Sequence, residues 1–194
     1  MVIFIVLKLD AIIAFIIASM LVLAITFLSN YKIVISKREG NYPTMVAVNI
    51  GGCLIPLIVG IVLVATYTKN LSSLAILLTS LLVSILIAYK LSIVVISKGT
   101  YIELMLQSLA SSTVIVALSE VINLGLCTAI AISYFTGILC TLVGADLLNL
   151  IKIKDIPELS KDSIMTIGGK GIFDAIHLSG LSTSILTLIL WHLP

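Results

Sequence analysis

Six apolar segments, each about long enough to cross a lipid bilayer, constrain the fold of this chain more than any other feature. They cover residues 11–29, 44–66, 71–89, 102–119, 126–150 and 171–191. A membrane-spanning helix needs about 20 mostly apolar residues, and backbone groups within the bilayer must be hydrogen-bonded inside the protein. The sequence therefore predicts an all-α transmembrane bundle of about six spans. It would form a single integral membrane domain over residues 1–194, in the cell membrane.

The composition excludes an ordinary soluble domain. Of the 194 residues, 60% are hydrophobic and 10% are charged, and the mean hydropathy is +1.29. About a quarter of the residues of a soluble domain are charged. The net charge of +2 is too small to favour nucleic acid as a partner, so the lipid bilayer is the expected partner.

Three cysteines, Cys53, Cys127 and Cys140, lie inside the apolar segments without any C-x-x-C spacing. An odd, scattered set of this kind predicts buried hydrophobic side chains rather than a disulfide framework or a zinc site. No cofactor and no metal are predicted. Residues 1–7 are apolar with no basic stretch ahead of them, so no cleaved signal peptide is expected.

The placement of lysine and arginine predicts the orientation of the bundle, because cytoplasmic loops carry an excess of these residues. The loops after the first, third and fifth predicted helices hold most of them, namely Lys32, Lys37, Arg38, Lys90, Lys98, Lys152, Lys154, Lys161 and Lys170. The other side holds Lys8 and Lys69. These three loops are therefore predicted in the cytoplasm, with both termini outside.

Two aspartates near the cytoplasmic side are the strongest functional signal in the chain. A carboxylate on a membrane-spanning helix is energetically costly and is functional by default. Asp146 lies four residues before the end of predicted helix 5, and Asp174 lies one turn into predicted helix 6. Predicted helix 2 brings Asn49, Gly51 and Gly52 to the same depth. We predict that the two carboxylates come within direct or one-water hydrogen-bond reach, with Asn49 lining the same cavity.

Structural roles are the alternative for these groups. Asp146 alone could pair with Lys170 or cap a neighbouring helix, but two aspartates at one depth favour a relay, an ion site or a catalytic pair. Asp174 and His177 are one turn apart and, with Asp146, would supply three ligands to a divalent metal. A histidine that is hydrogen-bonded within the bundle is the favoured reading of His177.

Other polar and small residues near the aspartates are candidates for supporting roles. Asn149 lies one turn beyond Asp146 on the same face and would either donate to a carboxylate or hydrate the interface. The segment that opens predicted helix 6 is either an anion-binding nest of N–H groups or a flexible turn. Its glycines are Gly168, Gly169 and Gly171.

Irregular backbone and close helix packing are predicted from glycine, proline and serine. Residues 49–52 followed by Pro56 should interrupt helix 2, which a membrane tolerates only against protein or a water-filled cavity; close packing through the small residues is the alternative. Ser108 in predicted helix 4, and Gly137 and Gly144 in predicted helix 5, belong to small-residue faces that favour close approach of neighbouring helices.

These segments carry a resemblance to a family of uncharacterised prokaryotic membrane proteins that is well represented in archaea. Residues 49–56 correspond to its N-x-G-G-x-x-I-P segment, residues 144–150 to G-A-D-L-L-N-L, and residues 166–175 to S-I-G-G-A-G-T-F-D-G-I. The departures are Thr166 for Ser, Lys170 for Ala, Ile172 for Thr and Ala175 for Gly. The resemblance covers most of the chain from predicted helix 2 onward. It implies a membrane protein and supplies no activity.

A looser likeness is to the G-x-G-D intramembrane aspartyl proteases of the presenilin and prepilin peptidase type. Those enzymes also place two aspartates near the cytoplasmic side. Residues 169–171 match G-x-G, but Asp174 follows two residues later than the pattern demands, and the Tyr-Asp and Pro-Ala-Leu motifs are absent. The likeness implies catalytic roles for Asp146 and Asp174 by position alone.

The leading functional hypothesis is a two-aspartate intramembrane hydrolase that cleaves a membrane-embedded peptide. Two close carboxylates do not both ionise easily, so one would activate water as a base while the other, protonated, polarises the carbonyl. One alternative is a small proton- or cation-coupled transporter, expected as a homodimer because six helices leave little room for a pathway. Another is a non-catalytic assembly subunit whose aspartates pair with a partner helix.

Overall fold

Helices dominate the part of the chain that the structure describes, which in this computed structural model is residue 28 and residues 31–38, 44–95, 99–149, 164–169 and 174–193. The α-helices are Ile55–Tyr67 (α1), Leu71–Leu91 (α2), Leu104–Val121 (α3), Leu126–Cys140 (α4) and Ala175–Trp191 (α5). Two π-helical segments adjoin them, Ile50–Leu54 (π1) before α1 and Thr141–Leu147 (π2) after α4.

Four helical segments are long and apolar enough to cross a membrane, which supports a multi-pass membrane protein. They are Ile50–Tyr67, Leu71–Leu91, Leu104–Val121 and Leu126–Leu147. Helix α5 is apolar but shorter, with 17 residues. Apart from residue 28, which is helical, the predicted first span lies outside the described residues. Six spans, the single domain and the outside position of the termini therefore stay predictions.

Helix α4, continued by π2, is the central element of the bundle. It contacts α1, α2, α3 and α5, and 67% of its apolar window is buried, against at most 39% for the other three spans. A Cβ at Gly137 would lie 2.5 Å from the backbone oxygen of Ser179, and one at Gly144 would lie 2.6 Å from that of Ile85. The prediction that these glycines allow close helix packing is confirmed.

Short strands are the main departure from the predicted all-α fold. They are Lys32–Arg38 (β1), Thr44–Asn49 (β2), Ser92–Val95 (β3), Gly99–Ile102 (β4) and Ile164–Ile167 (β5). One sheet has the order β1-β2-β5, with β1 antiparallel and β5 parallel to β2; β3 and β4 form a separate antiparallel pair.

Helix 2 therefore begins later than predicted. Residues 44–49 form a strand because their backbone groups pair with β1 and β5, and β5 lies far along the chain. A short apolar run does not by itself distinguish a strand from a buried helix. Pro56 lies in the first turn of α1, directly after π1. The predicted irregularity of helix 2 is therefore present as a change from π-helix to α-helix within the segment Ile50–Tyr67.

The boundaries of the next two helices also differ from the prediction. Helix α2 ends at Leu91, two residues beyond the predicted end at residue 89, because Ser92 begins the strand that pairs with β4. Helix α3 begins at Leu104 rather than at residue 102, which is the last residue of β4. The hairpin thus occupies most of the predicted loop and replaces predicted helix only at residue 102.

Candidate functional site

Hydroxyl pairs fix the register of α4, π2 and α5, which run antiparallel. Ser133 Oγ lies 2.7 Å from Thr187 Oγ1. Two turns further along, Thr141 Oγ1 donates to Ser179 Oγ at 2.8 Å. A step of two turns forward on one helix therefore corresponds to two turns back on the other.

The same register brings Asp146 and Asp174 to one level. Asp146 lies on π2, a little over one turn beyond Thr141, and Asp174 precedes α5 by the matching distance from Ser179. The two carboxylates are near enough to interact electrostatically. The structure thus brings the two predicted site residues into one region, while hydrogen-bond contact between them, direct or through one water, stays a prediction.

Asp174 is the N-cap of α5 rather than a residue one turn inside the helix. Its backbone is extended, with φ −71° and ψ 146°, and its Oδ1 accepts the N–H of Ile176 at 3.1 Å. A carboxylate at this position satisfies a free N–H of the first turn and lies at the positive end of the helix dipole. Helix 6 therefore begins at Ala175 rather than at residue 171, because the extended backbone of Asp174 ends the helix on its N-terminal side. Lys170 and Gly171 lie outside the described residues.

Asn49 is the last residue of β2 and shapes the turn into π1. Its Oδ1 accepts the N–H of Gly52 at 2.8 Å, and the side chain is 0% exposed. Gly51 and Gly52 are buried in the turn itself. Asn49 thus holds the start of the membrane-spanning helix in place; that it lines a cavity beside the aspartates stays a prediction.

The turn after β5 packs directly against the turn after β2, and Gly168 lies at this contact. Its φ is +72°, a conformation that side chains other than glycine rarely adopt. A Cβ there would lie 2.8 Å from Cys53 Cβ and 3.0 Å from the carbonyl carbon of Gly52. Gly169, the next residue, is exposed. Because β2 and β5 are parallel, both of their turns lie at the same end of the sheet.

Cys53 is a site residue that sequence reasoning missed. Its side chain is 3% exposed, and its thiol lies within electrostatic range of both Asp146 and Asp174. The sequence analysis treats it as one more buried hydrophobic residue. The available signal was its position directly after Gly51 and Gly52, which the sequence analysis already places at the same depth as the two aspartates.

Asn149 does not extend the site as predicted. Its Nδ2 donates to Ser92 Oγ at 2.6 Å and to the backbone oxygen of Ala145 at 2.8 Å. An amide has two N–H groups, so both are used. Asn149 therefore ties the end of π2 to the junction of α2 and β3 instead of donating to a carboxylate.

For His177, which was favoured as a hydrogen-bonded structural residue, the structure shows one ring nitrogen, and a hydrogen bond at the other nitrogen stays a prediction. Its Nδ1 is buried and has no hydrogen-bond partner among the described residues. The metal alternative gains no support either: within the described ranges, no group of three or more His, Cys, Asp or Glu side chains is arranged to hold a metal ion. His177 is accordingly left out of the candidate site.

Comparison with known proteins places the chain in a family without giving it an activity. Searches among curated proteins and among solved structures give no match. The family model described as protein of unknown function (DUF1614) matches residues 14–186. This range includes both aspartates and both of the turns that meet at Gly168. The chain therefore belongs to the DUF1614 family.

Proposed function

We propose that the chain is an intramembrane hydrolase that uses Asp146 and Asp174 to cleave a membrane-embedded peptide. The observation that carries the proposal is that the register of α4, π2 and α5 brings these two carboxylates, which belong to different helical elements of an apolar bundle, to one level. Carboxylates inside a membrane bundle are costly and are kept for a function. Paired carboxylates are well suited to acid–base chemistry.

The surroundings of the two carboxylates support different roles for them. Asp174 Oδ1 accepts an N–H at the start of α5, and such a contact stabilises the ionised form. Asp174 is therefore the base that removes a proton from water. Asp146 is half-buried on π2 and in the proposed reaction gives its proton to the carbonyl oxygen of the peptide.

The proposed reaction follows from these roles. The oxygen of the activated water forms a bond to the carbonyl carbon of the peptide. The C–N bond then breaks, and the departing nitrogen takes the proton that Asp174 removed from water. Asp146 regains its proton as the carbonyl re-forms, so the products are a carboxylic acid and an amine.

Single substitutions of the aspartates test this proposal. Purified protein in lipid vesicles would be incubated with single-span peptides, and the fragments would be identified by mass spectrometry. Asp146→Asn and Asp174→Asn should each reduce cleavage by about 100-fold or more, as loss of a general acid or base does. Glu120→Gln is the matched control, because it also neutralises one carboxylate but lies exposed at the end of α3. Cleavage that survives either aspartate change contradicts the proposal.

A proton- or cation-coupled transporter is the second candidate, favoured by the hydroxyl pairs that lead away from the aspartates along α4 and α5. Polar groups inside a bundle mark ion and proton pathways. Vesicles that contain the protein, expected here as a homodimer, would be given a pH or cation gradient. Flux that disappears in Asp146→Asn but persists in Glu120→Gln favours transport over hydrolysis.

A further inference from the structure

Buried oxygens without a protein partner lie deep in the helical bundle. Among the described residues, Ser84 Oγ, Gln107 Oε1, Ser119 Oγ, Thr136 Oγ1 and Thr183 Oγ1 have no hydrogen-bond partner. All five side chains are 0% exposed. Ser119 lies about three turns beyond Gln107 on α3, and the other four come from α2, α3, α4 and α5, one from each helix.

Contacts between α3, α4 and α5 bring three of these oxygens to one level. Gln107 Nε2 donates to Cys140 Sγ at 2.7 Å, and Cys140 lies one turn after Thr136. Thr183 Oγ1 lies 2.8 Å from the position that a Cβ on Gly137 would take. Since Gly137 directly follows Thr136, the three oxygens lie within about one turn of each other along α4.

The fourth oxygen belongs to the same level. Ala88 Cβ lies 2.9 Å from the position of a Cβ on Gly144. Ser84 is one turn before Ala88, and Cys140 is one turn before Gly144. Because α2 and α4 point in the same direction, Ser84 lies level with Cys140. We use the term oxygen layer for Ser84, Gln107, Thr136 and Thr183.

Burying an oxygen atom without a hydrogen-bond partner lowers the stability of the folded protein. In folded proteins such atoms are usually bonded to ordered water, which needs two to four polar partners. A layer with one unsatisfied oxygen from each of four helices supplies partners of this kind. It contains no ionisable side chain, so a neutral donor such as water fits it better than an anion.

Two hydroxyl residues lie at a level between the oxygen layer and the aspartates. Thr141 and Ser179 lie between them, and Ser179 Oγ donates to the backbone oxygen of Gly137 at 2.6 Å. Thr141 Oγ1 donates in turn to Ser179 Oγ. Hydroxyl groups therefore occupy the level between the layer and the carboxylates.

We infer that the oxygen layer binds ordered water molecules, which continue a hydrogen-bonded line from Asp146 and Asp174 into the middle of the bundle. This inference does not depend on the proposed hydrolase, because it concerns how buried oxygens are satisfied. The bound water gives the aspartates an internal reserve of water and of exchangeable protons.

Threonine-to-valine substitutions test the inference because the two side chains have nearly the same shape. Thr136→Val and Thr183→Val remove only a hydroxyl that has no partner among the described residues. If the layer holds water, each variant loses a hydrogen bond, and the melting temperature in detergent should fall by several degrees. A melting temperature that rises or stays unchanged overturns the inference. Thr79→Val is the control, since Thr79 is exposed and its hydroxyl donates to the backbone oxygen of Ala75 in its own helix.

Radiolytic labelling gives a second readout that does not require the variants to fold. X-ray pulses convert bound water into hydroxyl radicals, which modify nearby thiols. Cys140 is 0% exposed and bonds to Gln107, so in the wild-type protein it is modified only if water lies beside it. Efficient labelling of Cys140 supports the bound water, and an unmodified Cys140 overturns it.

Discussion

Gly168 and Cys53 are in direct contact: a Cβ at position 168 would lie 2.8 Å from Cys53 Cβ and 3.0 Å from its backbone nitrogen. The contact joins the turn after β5 to the turn after β2. It therefore holds the segment that leads to Asp174 against the segment that follows Asn49. Two glycine motifs that are far apart in the sequence therefore contact each other in the fold.

Gly168→Ala should destabilise the protein. The new methyl group would meet Cys53, and alanine at φ +72° is strained, so we expect a loss of about 2 kcal/mol or more in the free energy of unfolding. Chemical unfolding in detergent measures it. Gly125→Ala is the control, because nothing lies within 4 Å of a Cβ there; equal effects of the two changes would contradict the prediction.

Asp174 should show separable roles in stability and in activity. Asp174→Asn keeps an oxygen that accepts the Ile176 N–H, whereas Asp174→Ala removes it. We expect Asp174→Ala to cost about 1 kcal/mol of stability and Asp174→Asn to stay close to wild type. Thermal unfolding of the two variants checks this, and the cap is refuted if alanine is as stable as asparagine. Cleavage should be lost in both.

The cap at Asn49 should contribute more than an exposed cap would. Asn49→Ala removes the oxygen that accepts the Gly52 N–H and leaves that group buried without a partner. We expect a loss of about 2 kcal/mol in the free energy of unfolding. Asn49→Ser should recover part of it, since serine is also a strong N-cap residue. If serine is no better than alanine, the side-chain cap is not the cause.

Gly137→Ala should weaken the contact between α4 and α5. Its methyl group would lie 2.5 Å from a backbone oxygen of α5, which moves only if the whole helix moves, so a loss of about 1–3 kcal/mol is expected. Gly60→Ala is the matched comparison, because its nearest neighbour is the ring of Phe135 at 2.9 Å, and a ring can turn aside. A larger loss at Gly60 than at Gly137, measured by unfolding in detergent, would contradict this packing.

The register of α4 and α5 can be tested by cross-linking. In a protein whose three native cysteines are replaced by alanine, Ser133→Cys with Thr187→Cys should form an intramolecular disulfide, because the two hydroxyls are 2.7 Å apart. Gel mobility with and without reductant detects it. Thr113→Cys with Thr187→Cys is the control, since Thr113 is exposed on α3. A disulfide in the control alone would place the helices in another register.

The sequence was sufficient to predict those features that depend on long apolar runs. Helices α2, α3 and α4 lie close to the predicted bounds, because about 20 apolar residues in succession have few structural alternatives in a membrane. The common level of Asp146 and Asp174 was also predictable, since both residues lie near the same ends of antiparallel helices. Close packing at Gly137 and Gly144 followed from residue size alone.

The strands and the details of the turns could not be predicted in the same way. Residues 44–49 are as apolar as a helix, and their strand depends on pairing with β5, a tertiary contact without a local signal. The carboxylate of Asp174 caps α5, but the glycines that precede it in the sequence do not indicate which residue begins the helix. Asn149 lies on the expected face of its helix, but its partner Ser92 belongs to a hairpin that the sequence analysis treats as the loop between predicted helices 3 and 4.

The parallel pairing of β2 with β5 can form only late in the synthesis of this protein. Strand β2 emerges before the four long apolar helices, and β5 emerges after all of them. Pairing between segments so distant along the chain is slow and comes late in folding. The turns after β2 and β5, which contact each other at Gly168, consequently meet only after the helices between them have been synthesised.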